Sequence, residues 1–228
     1  MTKKQYQGIK LESEDFQVLQ ELEAMIGEPI PVTAEFNWNT FGFAVENNRI
    51  IGIGLYAKSL KELPQGLWKL FKLQSLMLVG NGLGKLPDSF SELKELKKLW
   101  LNVNNLSILP NSIYELENLT AFCIYQNNIS ILSEEFGNLI NLTELHIAKN
   151  PIAALPKSFE KLTKLHSLDI CQTDITELPK MLDQCEDLKL VAFPKKLLSQ
   201  LPETLKKKED LQVFTMDEEG NNVEERFE

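Results

Sequence analysis

Three residues whose side chains could together catalyse a reaction or bind a metal are equally spaced along the chain. Cys123, His146 and Asp169 are each separated by 23 residues, and Glu144 and Cys171 lie near them in the sequence. A thiol, an imidazole and a carboxylate in this order resemble the nucleophile, base and orienting group of a hydrolase. The same ligand types also hold zinc in proteins. Hydrolysis and metal binding are therefore the two chemistries that these residues suggest.

The spacing of these residues is that of a repeat, which begins at Ile50. The repeat reads LxxLxLxxNxLxxLPxxFxxLxx. A fixed period in this range is the signature of an α/β leucine-rich repeat solenoid. We expect a right-handed solenoid with a parallel sheet on its concave side and short helical turns on its convex side. The repeats start at Ile50, Leu73, Leu96, Leu119, Leu142, Leu165, Leu188 and Leu211.

The alternation within each repeat places the three residues on the surface of the predicted sheet. In the L-x-L segment the leucines point inward and the x positions outward, because successive strand side chains face opposite ways. Cys123, His146 and Asp169 then occupy one outward position on three adjacent strands. An open sheet gives them no pocket, and the sequence supplies no donors for an oxyanion. We expect polar surface here, with no catalytic residue, metal or cofactor. A hydrolytic or metal site at these residues is the alternative.

Outward positions in the N-terminal half carry apolar and aromatic side chains. An exposed aromatic cluster among polar residues is typical of a protein-interaction site. The alternative is that these side chains only pack on one another. The predicted partner-binding residues are Tyr56, Met77, Val79, Trp100, Asn102, Val103, Tyr125 and His146.

Other repeat positions are predicted to be structural. The ninth position carries asparagine, whose amide can bond to backbone groups of its own turn and the next one. Proline ends the LxxL segment, because it fixes φ and lacks an N–H donor. The asparagines are Asn81, Asn104, Asn127 and Asn150.

Residues 1–49, which precede the repeats, are predicted to form an N-terminal cap made of a helix and a hairpin strand. Apolar residues on one face predict a helix over residues 12–26, with Ser13 or Asp15 capping its start. A strand then turns through residues 46–49 into the first repeat strand, where asparagine tolerates a positive φ. The added strand would cover the open edge of the sheet.

The two ends of the solenoid carry further expectations. Phe36 and Trp38 are expected to close the N-terminal end of the core. The repeats extend over residues 50–216, with the last one partial and aligned on the same 23-residue period. Residues 217–228 are predicted to be an acidic C-terminal tail or cap.

Composition limits the partners and the location. The net charge of −9 and the scattered lysines disfavour nucleic-acid binding. The sequence shows no signal peptide and no apolar run of about 18 residues, so we expect no membrane association. Cys123 and Cys171 would lie too far apart for a disulfide, and Cys185 replaces an inward leucine. We therefore expect a cytoplasmic monomer.

The convex return resembles that of a known family. The segment containing Leu86, Pro87, Ser89, Phe90 and Leu93 fits the LPxSFxxLxxL pattern. It resembles the intracellular 23-residue class of leucine-rich repeat proteins, such as Ras-suppressor-like, Scribble-like and prokaryotic stand-alone repeat proteins. The resemblance implies a protein–protein interaction module and not an enzyme, in some relatives a signalling scaffold or a regulator of small GTPases or enzymes. A structural or self-assembling spacer is a further alternative.

Overall fold

The structure is a computed structural model that describes residues 3–217 and 219–227. Within these residues the chain forms twelve strands, two α-helices and a series of short 3-10 helices. The strands are β1 (Lys3–Tyr6), β2 (Ile9–Glu12), β3 (Phe41–Glu46), β4 (Arg49–Leu55), β5 (Ser75–Met77), β6 (Lys98–Trp100), β7 (Ala121–Cys123), β8 (Glu144–His146), β9 (Ser167–Asp169), β10 (Leu190–Pro194), β11 (Gln212–Met216) and β12 (Asn222–Glu225). The α-helices are α1 (Ser13–Ile26) and α2 (Glu203–Lys206). The 3-10 helices are Gln65–Lys69, Phe90–Glu92, Asn111–Glu115, Glu134–Asn138, Lys157–Lys161, Lys180–Gln184 and Lys195–Gln200.

A ten-stranded sheet runs through the whole molecule in the order β3 to β12. Strands β4 to β11 are parallel, and residues 23 apart in sequence pair across β4 to β10, as Leu76 does with Leu99. The middle residue of each short strand is completely buried, because alternate side chains point into the solenoid. The predicted α/β repeat solenoid is confirmed.

The convex side returns through the 3-10 helices. Several of them begin directly after a proline with an extended ψ, such as Pro64 and Pro110. Proline fits this point because its ring ends the preceding extended segment and its missing N–H lies outside the helix hydrogen bonds. Phe90, Phe136 and Phe159 then point inward from this side and are buried. The core therefore lies between the sheet and the 3-10 helices.

The asparagine column is a buried ladder of side-chain bonds. The Oδ1 of Asn104 accepts the N–H groups of Asn81 (3.2 Å) and Leu83 (3.0 Å). Its Nδ2 donates to the carbonyls of Leu78 and Leu101, both at 2.9 Å. The prediction that the amide reaches the next repeat is wrong, because the bonds between repeats lead to the preceding one. Similar bonds to the preceding repeat are made by Asn81, Asn127 and Asn150.

The N-terminal segment adds elements that the sequence pattern did not predict. Strands β1 and β2 form a separate antiparallel hairpin before α1. The residue at the N-cap of α1 is Glu12, which makes no side-chain capping bond. The prediction that Asp15 caps the helix is wrong. Its Oδ2 instead accepts the N–H of Ile50, at 2.6 Å, in a contact between distant parts of the chain. Helix α1 is thereby joined to the first repeat strand.

Strand β3 pairs antiparallel with β4, as the sequence predicts. The turn between them holds Asn47 and Asn48 at φ of 50° and 65°, the left-handed values that a two-residue hairpin turn needs. The outer edge of β3 is covered in turn: Phe43 donates its N–H to the carbonyl of Pro31 at 2.9 Å and accepts the N–H of Thr33 at 2.8 Å. This end of the sheet is therefore not an open edge.

Residues 34–40, between Thr33 and the start of β3, cross the concave face of the first repeat. The ring of Phe36 lies so close over Gly52 that a Cβ there would be 2.6 Å from it. Thr40 approaches Gly54 equally closely. The prediction that Phe36 and Trp38 close the end of the core is therefore wrong: Phe36 covers the concave side, and Trp38 remains exposed.

The last repeat strand is shifted by one residue. Leu190 pairs with Gln212 and Ala192 with Phe214, a separation of 22 rather than 23. A shift of one residue exchanges the two faces of a strand. The 23-residue alignment of this strand is wrong, because the 3-10 helix Lys195–Gln200 and α2 replace the usual convex return.

The shift turns the side chains of β11 over. Val213 and Thr215 point into the solenoid and are buried, whereas Phe214 and Met216 lie on the concave side. The predicted acidic tail contains β12, which pairs antiparallel with β11. Glu218 and Glu228, also in that predicted tail, lie outside the described residues. No helix within residues 3–217 and 219–227 combines the length and apolar character that crossing a bilayer requires.

Candidate functional site

The structure brings Cys123, His146 and Asp169 together in one row. Cys123 pairs directly with His146 across β7 and β8, and His146 with Asp169 across β8 and β9. Cys123 was expected on the surface, but it is only 5% exposed. Burial, followed by the negative charges of Glu144 and Asp169, raises the pKa of its thiol to about 12. At neutral pH the group is therefore a protonated thiol, the opposite of an activated nucleophile.

The neighbouring side chains are committed to other contacts. The Nε2 of His146 lies 3.1 Å from the hydroxyl of Ser167. The Oδ1 of Asp169 accepts the N–H of Cys171 at 3.0 Å. Burial and then the charge of Asp169 also raise the pKa of the Cys171 thiol, whereas a metal binds the thiolate. Across the described part of the chain, no three His, Cys, Asp or Glu side chains are grouped as a metal ion would require.

The predicted partner-binding residues differ in accessibility. Val103 is exposed, and Met77 and Val79 are 1% and 3% exposed. The expectation that Met77 and Val79 are exposed is therefore wrong, although neither belongs to the solenoid core. An outward side chain in a closely spaced sheet is covered by its neighbours on adjacent strands, so outward direction does not ensure exposure. Partly exposed side chains are those of Tyr56, Trp100, Asn102, Tyr125 and His146.

The N-terminal segment changes the surface around Tyr56. Trp38 packs edge-on against the Tyr56 ring, with centroids 5.5 Å apart and planes at 88°. The sequence reasoning did not place Trp38 on the concave side. A signal was present, because glycine at the outward positions 52 and 54 is typical of a site where another part of the chain approaches closely. The first repeat is therefore largely occupied by the protein itself.

Asn102 and Val103 have backbone roles as well as surface positions. The Oδ1 of Asn102 accepts the N–H of Tyr125 at 3.0 Å, so its side chain links the segments that follow β6 and β7. Val103 has a φ of 55°. The equivalent position is left-handed in neighbouring repeats too, but a β-branched residue is strained there. Left-handed residues at this position include Ala57, Gly80, Gln126, Lys149 and Gln172.

A second apolar surface lies on the concave side of the C-terminal repeats. Ala148, Cys171 and Ala192, which are 2%, 4% and 8% exposed, form a buried cluster separate from the solenoid core. We call these three residues the apolar floor. The side chains packed around the floor, all partly exposed, are Tyr125, Leu190, Phe214 and Met216. Sequence reasoning missed this surface because alanine and cysteine are small and because Phe214 and Met216 reach it only through the shift of β11.

Comparison with known proteins agrees with this architecture. A family model described as a leucine-rich repeat region matches residues 52–151. No curated protein matches the sequence significantly. The match covers part of the repeats, and together with the repeat and the parallel sheet it identifies the fold as a leucine-rich repeat solenoid. The predicted family resemblance is confirmed at this level.

Three solved structures illustrate the likeness. The LIC12759 protein of Leptospira interrogans is 22% identical, with a TM-score of 0.55 over 72% of this chain and 54% of that one. The plant peptide hormone receptor RGFR1, solved in complex with RGF2, is 25% identical, with a TM-score of 0.63 over 78% and 30%. InlJ of Listeria monocytogenes is 22% identical, with a TM-score of 0.56 over 64% and 30%. The chain thus spans 30% to 54% of the length of these proteins.

Proposed function

We propose that this protein binds another protein through the concave face of β6 to β11, and that the first repeat contributes less than its aromatic residues suggest. The observation that carries the proposal is the set of partly exposed side chains of Tyr125, Phe214 and Met216, which pack over the buried apolar floor outside the solenoid core. An apolar surface set among polar side chains is typical of an interaction site. Trp100 and Tyr125 are of the residue types that contribute most to binding free energy.

The sheet that carries this surface is preorganised. Each strand is hydrogen-bonded to both neighbours, and the ladder of Asn104, Asn127 and Asn150 holds adjacent turns together. A surface that is already ordered loses little conformational entropy on binding. Binding to the concave face would therefore need no rearrangement of the solenoid.

One similar protein supports a proteinaceous ligand. The plant peptide hormone receptor RGFR1 was solved in complex with RGF2. The matched part is only 30% of that receptor's solved chain, so we do not propose RGF2 as a ligand of this protein. We propose only the class of ligand, a polypeptide bound by a leucine-rich repeat solenoid.

Affinity capture from the native lysate tests the proposal. The bait is the full chain, compared with a concave variant, Tyr125→Ala, and a convex variant, Glu115→Lys. We expect one protein to be retained by the wild type and by Glu115→Lys and lost by Tyr125→Ala. Its mass spectrum would show whether it is a small GTPase or a signalling enzyme, as the family resemblance implies.

Two results would contradict the proposal. One is a captured protein that Tyr125→Ala retains and Glu115→Lys loses, which would place the interaction on the convex side. The other is an elution volume in size-exclusion chromatography that falls with protein concentration while no other protein is captured. That result would favour the self-assembling spacer.

A further inference from the structure

We propose that two copies of this chain associate, antiparallel and about a two-fold axis, through an uncharged band on the loops between the strands and the 3-10 helices. The uncharged band consists of the exposed residues of three consecutive turns, 105–108, 128–131 and 151–154. The inference goes beyond the proposed function, because none of these residues belongs to a strand of the concave sheet. A weak dimer thereby replaces the monomer expected from the sequence.

The uncharged band contains the two most exposed large apolar side chains of the described residues. Ile108 is 69% exposed and Ile131 is 78% exposed. They lie on adjacent turns, because Asn128 donates its N–H to the carbonyl of Leu106 at 2.8 Å. Equivalent residues of adjacent repeats are about 4.8 Å apart, as neighbouring strands are. The two isoleucines therefore form one continuous apolar surface in contact with water.

The repeat does not require isoleucine at this position. Elsewhere the same position of the 23-residue period is occupied by Glu62, Lys85, Ala154, Glu177 and Gln200, all of them exposed. Since the position accepts charged and polar side chains, packing of the core does not explain the isoleucines. Adjacent exposed apolar side chains rimmed by polar residues are typical of an interaction surface.

The composition of the uncharged band is that of the centre of an interface. It contains no charged residue, although 25% of the residues in the chain are charged. The centre of a protein–protein interface is depleted in charged side chains in the same way. The residues directly before Ile108, Ile131 and Ala154 are serine, serine and alanine. These small side chains allow a second surface to approach the isoleucines closely.

The two ends of the uncharged band carry opposite charges, which identify the partner as a second copy. Lys85 takes the position of the isoleucines in the turn before the band, and Glu177 takes it in the turn after. Both are exposed, and neither forms a salt bridge with another described residue. Ile131 lies two repeats from each of them. An antiparallel arrangement centred on Ile131 therefore places Lys85 of each copy opposite Glu177 of the other, whereas a parallel one would place like charges together.

The apolar residues of the uncharged band meet in the same arrangement. Ile131 would contact Ile131 of the second copy, and Ile108 would contact its Ala154. The five turns from Lys85 to Glu177 extend over about 19 Å, at the spacing of neighbouring strands. A contact of this length buries less than the area of about 800 Å² per partner that a standard interface has. We therefore expect a weak dimer that forms only at high protein concentration.

The charges beside the uncharged band are compatible with this arrangement. Asp88 of one copy would face Lys180 of the other, since both are exposed and each lies two repeats from Glu134. Glu134 itself would approach its own copy. Its carboxylate, however, is already directed to the next repeat, where it accepts the N–H groups of Lys157 at 3.1 Å and Ser158 at 2.9 Å.

Sedimentation equilibrium of the full chain tests the inference. We expect the average mass to rise from that of one chain toward that of two between roughly 1 µM and 1 mM, where a small interface is populated. Ile131→Lys places two like charges on the axis, so this variant should remain monomeric. Ile140→Lys is the matched control, because Ile140 is also exposed but follows the 3-10 helix Glu134–Asn138 on the convex side. It should associate as the wild type does, and both variants should melt within a few degrees of it.

Charge reversals test the antiparallel orientation. Lys85→Glu and Glu177→Lys should each weaken association several-fold at low ionic strength, because each places like charges together at both ends of the dimer. An equimolar mixture of the two variants should associate as strongly as the wild type. In the mixture each copy meets the opposite charge at both ends, which occurs only if Lys85 faces Glu177.

The outcomes separate this inference from the proposed function. A wild-type protein that stays monomeric up to about 1 mM overturns the inference. Association that Ile131→Lys retains, or that Ile140→Lys also loses, overturns it as well. If the mixture of charge variants associates no better than each variant alone, the antiparallel arrangement is wrong. The concave site is tested independently, because Ile131→Lys should still capture the partner that Tyr125→Ala loses.

Discussion

The guanidinium of Arg49 lies 3.1 Å from the carboxylate of Asp15, and both side chains are buried. Asp15 belongs to α1 and Arg49 begins β4, so the pair joins the N-terminal helix to the first repeat strand. The other carboxylate oxygen accepts the N–H of Ile50, and the guanidinium lies 4.1 Å from the centre of the Phe71 ring. Burial raises the pKa of Asp15, so the ionised carboxylate depends on these two partners.

Removal of this carboxylate should destabilise the protein strongly. Asp15→Ala leaves the N–H of Ile50 without its acceptor and the buried guanidinium of Arg49 with only the exposed Glu14 carboxylate, which we expect to cost about 3–5 kcal/mol in the free energy of unfolding. Urea denaturation measures the loss. Glu14→Ala is the control, because the Glu14 side chain is exposed and lies 3.6 Å from the same guanidinium. It should cost less than about 1 kcal/mol. Equal losses would show that the buried contact is not the cause.

The asparagine ladder should contribute to stability at each step. Asn104→Ala leaves several buried backbone groups without a partner, and we expect a loss of roughly 3 kcal/mol or more, since each unsatisfied group costs about 1–3 kcal/mol. The adjacent Asn105 is the control, because its side chain is exposed and makes a single long bond of 3.4 Å to Gly82. A loss for Asn104→Ala no larger than that for Asn105→Ala would contradict the role of the ladder. Thermal and urea unfolding both measure it.

Replacing Val103 by glycine should relieve backbone strain and stabilise the protein. Val103→Gly removes a β-branched side chain from a left-handed φ, and we expect a gain of about 1 kcal/mol in the free energy of unfolding, net of the flexibility of glycine. Gly80 occupies the same repeat position at φ of 72°. A Cβ at Gly80 would meet its nearest atoms at 3.8 Å, so space is not limiting. Gly80→Ala, which adds only this Cβ, should therefore destabilise by a similar amount, through φ alone. Changes of the same sign in both variants would contradict this account.

The thiol of Cys123 should react slowly in the folded protein. Its pKa is raised to about 12, so the thiolate fraction at neutral pH is far below that of an ordinary cysteine. We expect iodoacetamide to label it only slowly below pH about 9 and at the ordinary rate after unfolding in urea. Mass spectrometry after digestion distinguishes it from Cys171 and Cys185. Rapid labelling of Cys123 at neutral pH, or about one zinc per chain by elemental analysis, would restore the hydrolytic or metal alternative.

Trp100 should matter for binding more than for folding. Its side chain lies on the concave face between Met77 and Cys123 of the adjacent strands. Trp100→Ala should weaken binding of the captured partner by more than about 30-fold, as a central aromatic residue contributes about 2 kcal/mol or more.

The control for Trp100 is its inward neighbour. Leu101→Ala should cost about 2–5 kcal/mol of stability, because that side chain is completely buried in the core. If Trp100→Ala unfolds the protein and the remaining folded fraction binds normally, Trp100 acts as part of the packing and not as a contact residue.

The sequence by itself determined the repeat architecture as far as β10. The 23-residue period predicts the parallel sheet, the inward columns and the direction of the outward side chains from β4 to β10, because strand alternation is a local property of the backbone. The turn at residues 47 and 48 is predicted by another local property, the tolerance of asparagine for the positive φ that a two-residue hairpin turn needs.

The tertiary structure alone decided which outward side chains are accessible. Met77 and Val79 point outward and yet are buried, and Phe36 lies over Gly52. The shift of β11 brings Phe214 beside the apolar floor, where the 23-residue alignment would have buried it. Direction is set by neighbours in the sequence, whereas exposure is set by what packs around the side chain, which includes the adjacent strands and, at Gly52, the N-terminal segment. The repeat period therefore predicts the direction of a side chain but not its exposure, so only the folded structure identifies the accessible part of the concave surface.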